Sequence, residues 1–167
     1  MTNLDPSYAC ARVITCLHHP KSGLGEPSVL PIVNCEPYQE HGNRTSVALV
    51  STKQPVPRCP PQQALTILIE LQMAHKDRSE TRLKSCAWTK IPLFDSKNRL
   101  LSGRWKCQLR NLPIRSDANL SVLGSLPEFG YVEMYYRLVN LRDSDDQTTA
   151  PISPGYANQY NLTVQVS

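Results

Sequence analysis

At 167 residues the chain is long enough for one well-buried core and too short for two ordinary domains. An apolar fraction of 40% and a charged fraction of 19% fit a globular protein, and 14 prolines against 7 glycines exclude an architecture of long helices. The net charge of +4 gives no case for nucleic acid, and no apolar run reaches transmembrane length, which makes a membrane-embedded chain the less favoured reading.

The N-terminus, MTNLDPSYAC, lacks the basic start and continuous apolar run of a secretory signal, so a cytoplasmic protein is expected. Short strands are expected over residues 12–17, 29–33 and 46–51. Residues 53–63, KQPVPRCPPQQ, should run extended, close to polyproline II, as a connector. The first clean alternation follows, with Leu65, Ile67, Ile69, Leu71 and Met73 on one face and Thr66, Glu70 and Gln72 opposing them. That is the pattern of a half-buried strand.

Residues 86–94, CAWTKIPLF, are apolar and aromatic but carry Pro92, which cannot donate to a ladder and implies a bend, bulge or edge. The Asp95-Ser96-Lys97-Asn98 break then reads as a hairpin turn, because Asp and Asn bond their own backbone in turns. Past it the period is again two, placing Trp105, Cys107 and Leu109 inward and Arg104, Lys106, Gln108 and Arg110 outward. The last strong strand spans 131–141, with Val132, Met134, Tyr136 and Leu138 sharing a face, and a weaker one is expected over 162–166.

These elements predict an all-β, antiparallel sandwich with an irregular, proline-rich N-terminal extension. The expected divisions are an extension with short strands over 1–52, a connector over 53–63, the sandwich core over 64–145, and a C-terminal tail over 146–167. Trp88 and Trp105 are expected in the core with Leu65, Ile67, Ile69, Val132, Met134, Tyr136 and Leu138, since each tryptophan can bury roughly 150–250 Å².

Three stretches in order, STKQPVPRCPPQQALTILIELQ, LFDSKNRLLSGRWKCQLRNLP and EMYYRLVNLRDS, closely resemble the C-terminal region of coiled-coil domain-containing protein 17, a family associated with ciliated cells. The resemblance covers residues 8–145, and its most specific part is LFD-x4-LLSGRW followed by RLVN-x-RD. It implies a C2-type β-sandwich and a place in the axoneme of a cilium or flagellum. The coiled coils that give the family its name are absent from this sequence.

A C2-type fold raises calcium binding, which needs several converging carboxylates to supply most of roughly 6–8 oxygen ligands. The candidates are Asp77, Asp95, Asp117 and the cluster Asp143, Asp145 and Asp146, and only the last is locally dense. Ordinary turn and surface aspartates are the expected reading, with no metal and no cofactor. The six cysteines, at 10, 16, 35, 59, 86 and 107, show no C-x-x-C spacing and are expected as reduced thiols, mostly buried. The four histidines, at 18, 19, 41 and 75, match no catalytic motif, so no enzyme is expected.

The feature with binding potential is electrostatic. Arg99, Arg104, Lys106, Arg110 and Arg115 lie in one short span, and three of them share the outward face of a strand. The expected function is a structural scaffold that binds other proteins in a large assembly, such as tubulin or other axonemal proteins, through this basic face. The alternative is a calcium-independent peripheral membrane module that uses the same cations on anionic headgroups.

Overall fold

The computed structural model of the protein describes residues 1–77, 82–143 and 158–163. Among these described residues, nine strands and two short helices follow in chain order. They are β1 (Tyr8–His19), β2 (Ser22–Val29), β3 (Val33–Glu40), β4 (Asn43–Ala48), β5 (Thr66–His75), β6 (Lys84–Pro92), β7 (Gly103–Asn111), α1 (Leu120–Ser125), β8 (Glu128–Leu138), the single 3-10 turn Leu141–Asp143, and β9 (Asn161–Leu162).

The strands hydrogen-bond in the order β4-β3-β1-β5-β6-β7-β8, with β2 also on β1 and β9 on β7. All pairs are antiparallel except β7 with β9. The sheet curls into a sandwich because its two ends are tied together by the first four residues. Thr2 N donates to Glu133 O of β8 at 2.9 Å, while Leu4 exchanges bonds with Ser46 of β4 at 3.0 and 2.8 Å. The chain changes layer after β6, which keeps only two rungs with β7, Ala87 with Asn111 and Trp88 with Arg110.

Side chains from β1, β5, β6, β7 and β8 meet in the seam, among them Val13, Leu71, Met73, Ile91, Leu109 and Met134. The alternation in β5 sets this geometry: Ile69, Leu71 and Met73 point into the seam while Glu70 and Gln72 reach the outer surface. There Gln72 accepts both guanidinium bonds of Arg12, at 3.1 and 2.6 Å, and passes a bond to Glu70 at 2.8 Å. Ser85 also donates to Glu70, so one polar chain crosses three strands with its single cation and anion balanced.

The N-terminal third is not an appendage. β1 pairs with β5 from Tyr8 to His18, and Met1, Leu4, Ala11, Val13, Leu30, Cys35 and Ala48 belong to the main core. The strand expected over 29–33 corresponds instead to the junction between β2 and β3. β2, SGLGEPSV, is almost wholly exposed and its register breaks opposite Cys16, where Gly25 takes a φ of +76° and Pro27 offers no N–H. Such an irregular edge strand resists pairing with another chain. The connector, residues 53–63, has no strand or helix; Cys59 within it packs against Leu17, Leu65 and Leu93.

Trp88 is fully buried, but outside the main seam. It lies on the outer face of β6 under residues 112–126, packed with Ala118 and Leu123 and flanked by Leu68, Ile114 and Val122. Its Nε1 donates to Asn111 O at 2.9 Å. Trp105, expected in the core, is only half-buried, because the layers separate at that end once β6 has parted from β7. Tyr136 and Leu138 are partly buried against the core, whereas Val132 and Met134 are within it.

Candidate interaction surface

The Asp95 segment is a turn built by its own side chain. Asp95 Oδ1 accepts from Lys97 N at 2.8 Å and Arg99 N at 2.9 Å, Asn98 takes a φ of +57°, and Phe94 bridges Leu100. These bonds, the Arg99 backbone N–H first, hold the carboxyl below its ordinary range. Beside the turn is a shallow hollow of about 260 Å³, walled by Pro92, Leu101, Trp105, Tyr136 and Thr163.

The five cations expected to form a docking face do not act together. Arg99 is 72% exposed but closes on Asp95 at 2.7 Å. Arg104 Nη1 donates to Gln159 Oε1 at 2.6 Å, and Lys106 lies 3.7 Å from Glu133. Arg110 is buried: its Nη1 donates to Leu126 O at 2.9 Å and lies 3.2 Å from Glu128. Of these five, only Arg115 is both exposed and without an acidic partner among the described residues. The period-two reading put Arg104, Lys106 and Arg110 on one face, but the return of residues 112–127 over β7 converts Arg110 from a surface charge into a clamp.

Lys90 performs the same task one strand away. Its ammonium donates to Ser116 O and, at 2.9 Å, to Ala118 O, pinning the covering segment onto β6. Burial lowers its pKa, and nearby Asp117 partly opposes that shift. Asn119 caps α1 by accepting from Val122 N at 2.8 Å. Trp88, Lys90 and Arg110 therefore anchor one cover.

Asp77 and Asp117 are exposed at separate points of the chain, Asp95 is committed to its turn, and Asp143 ends the 3-10 helix. Asp145 and Asp146 lie outside the described residues. Among the described residues no three His, Cys, Asp or Glu side chains come together as a metal-holding group. His18 is buried with its Nδ1 unpartnered, and His75 stacks on Tyr8 with ring centroids 4.3 Å apart. The six cysteines are all free; Cys10 and Cys35 are buried, and burial pushes the Cys35 thiol to about 11 and that of Cys107 to about 12. Among the described residues no helix is long and apolar enough to cross a membrane.

Two further surface features stand out, and the sequence did not single out the first of them. Val29, Ile32 and Leu49 are 58%, 55% and 49% exposed. Val29 pairs with Ile14, the chain then runs along β1 to Val33 opposite Ala11, and Ala48 pairs with Cys35. Leu49 thus falls beside Asn34, two residues from Ile32, and the three form an apolar margin along the β2–β3 junction.

The second feature is β9, which lies parallel to β7 with Trp105 opposite Asn161 and Lys106 opposite Leu162. Thr163 N donates to Lys106 O at 2.9 Å, and its Oγ1 meets Tyr136 OH at 2.7 Å. The weak strand expected over 162–166 begins here, and its part beyond Thr163 lies outside the described residues.

Fold and surface together define a small antiparallel β-sandwich module whose buried cations serve its own architecture. Residues 1–160 match the family described as the CCDC17 C-terminal domain. The chain belongs to that family.

Proposed function

We propose that this domain is a non-catalytic scaffold module that docks onto other proteins in the axoneme of a cilium or flagellum, with the tubulin lattice or a neighbouring axonemal protein as its partner. The ciliary placement draws on the family resemblance. The docking role draws chiefly on one observation, the apolar margin of Val29, Ile32 and Leu49. Isolated apolar side chains are ordinary on a protein surface, but adjacent ones mark a place where water is to be displaced.

Each of these side chains has about half of its surface still to bury, so docking would gain about 1 kcal/mol per residue and roughly 3 kcal/mol together, about a hundredfold in affinity. Arg115 and the exposed head of Arg99 suit the rim of an acidic lattice, where each contributes about 0.2–1 kcal/mol.

Co-sedimentation tests this reading. The purified domain is expected to pellet with axonemes or microtubules and to stay in the supernatant with acidic liposomes. Pelleting with liposomes alone would overturn the scaffold function and leave the peripheral membrane module in its place.

A further inference from the structure

We infer that the connector, residues 53–63, is a docking ligand for an aromatic-lined, acid-rimmed groove on another protein, of the kind SH3 domains carry. The inference names a second partner and stands apart from the axonemal reading. It starts from the prolines at 55, 57, 60 and 61. Each fixes its own φ near about −65° and pushes the residue before it to an extended ψ. Together they set residues 54–61 close to polyproline II, with Arg58 alone unconstrained, and the segment carries neither strand nor helix.

Such a chain has three residues per turn and therefore three ridges. Val56, Cys59 and Gln62 fall on one, Pro57 and Pro60 on the second, and Pro55, Arg58 and Pro61 on the third. The first ridge is turned to the domain: Cys59 packs against Leu17, Leu65 and Leu93, and Gln62 O accepts from Leu65 N at 3.0 Å. Every proline of the segment is left on the other two, and Pro55, Pro57, Arg58, Pro60 and Pro61 are all exposed. Pro57 and Pro60 stand one turn apart, about 9 Å. Two outward ridges bearing prolines at that spacing are what an aromatic-lined groove reads.

The segment is held in this shape before any partner arrives. Gln54 Nε2 donates to Ser28 Oγ at 2.9 Å near one end, and Gln63 N donates to Asn98 Oδ1 at 2.9 Å at the other, with Cys59 anchored between them. A ligand fixed in its bound conformation loses little freedom on binding. Arg58 supplies the charge. It is exposed and makes no hydrogen bond or ion pair among the described residues, whereas Arg99, Lys106 and Arg110 each face a carboxylate. An uncommitted guanidinium among outward prolines complements an acidic rim.

The test titrates the full chain against a panel of purified SH3 domains by isothermal titration calorimetry. Micromolar binding to at least one domain is expected. Pro57→Ala/Pro60→Ala, which strips the second ridge, should weaken it by about tenfold or more, and Arg58→Glu should do the same by setting a carboxylate against the acidic rim. All three side chains are exposed, so an unmoved urea midpoint verifies that both variants are folded. Absence of binding across the panel overturns the proposal, as does binding that either variant leaves intact.

Discussion

Replacing each tryptophan in turn separates the two positions the fold gives them. Trp88 is 0% exposed, packed under the 112–126 cover, and bonded to Asn111 O. Burying an indole of roughly 150–250 Å² at about 25 cal/mol per Å² is worth about 4–6 kcal/mol gross. The observed range for removing a buried aromatic side chain predicts that Trp88→Ala costs about 3–5 kcal/mol. Trp88→Phe keeps most of the packing and orphans only Asn111 O, so about 1–3 kcal/mol is expected. Trp105 is half-buried beside the hollow and bonds Leu101 O at 2.8 Å, so Trp105→Ala should cost about 1–2 kcal/mol, well below Trp88→Ala. Urea denaturation followed by far-ultraviolet circular dichroism gives all three. Equal losses for Trp88→Ala and Trp105→Ala would refute the assignment of the buried anchor to β6.

Arg110→Met should cost roughly 1–3 kcal/mol by leaving Leu126 O without its donor, while axoneme co-sedimentation stays unchanged; loss of binding at unchanged stability would restore Arg110 to a docking role. Burial holds the His18 pKa below its ordinary 6.5, with Lys90 and His19 acting in the same direction. Below pH 6.5 the unfolded chain takes up a proton that folded His18 resists, so this contribution to stability is lost as pH falls through that window. His18→Gln should flatten the slope of urea midpoint against pH there, and an unchanged slope would count against it. In native protein at pH 8, Cys35 and Cys107 should resist iodoacetamide, because thiols held at about 11 and about 12 carry almost no thiolate; mass spectrometry that found them alkylated first would contradict their burial.

The strongly alternating strands were legible because each has one face in the seam and one in water. Leu71 and Met73 in β5 and Val132 and Met134 in β8 were readable on that ground alone. β2 was not, since SGLGEPSV buries neither face and its glycines and Pro27 suit an irregular edge. α1 escaped notice because six residues are too few to display a helical period, and its one local signal is the Asn119 cap. The burial of Arg110 is hidden from the sequence for a different reason. Parity along β7 tells which side Arg110 leaves the strand, but whether that side is wet depends on a segment that returns from residues 112–127, and no local pattern carries that information.

Axoneme binding by the double variant Ile32→Glu/Leu49→Glu is the most direct measurement of the docking claim. Both side chains are about half exposed, so the thermal midpoint should hardly move, while placing two carboxylates in the apolar margin should weaken co-sedimentation by about tenfold or more. Undiminished pelleting by a variant that remains folded would contradict the claim and place the contact elsewhere on the sandwich.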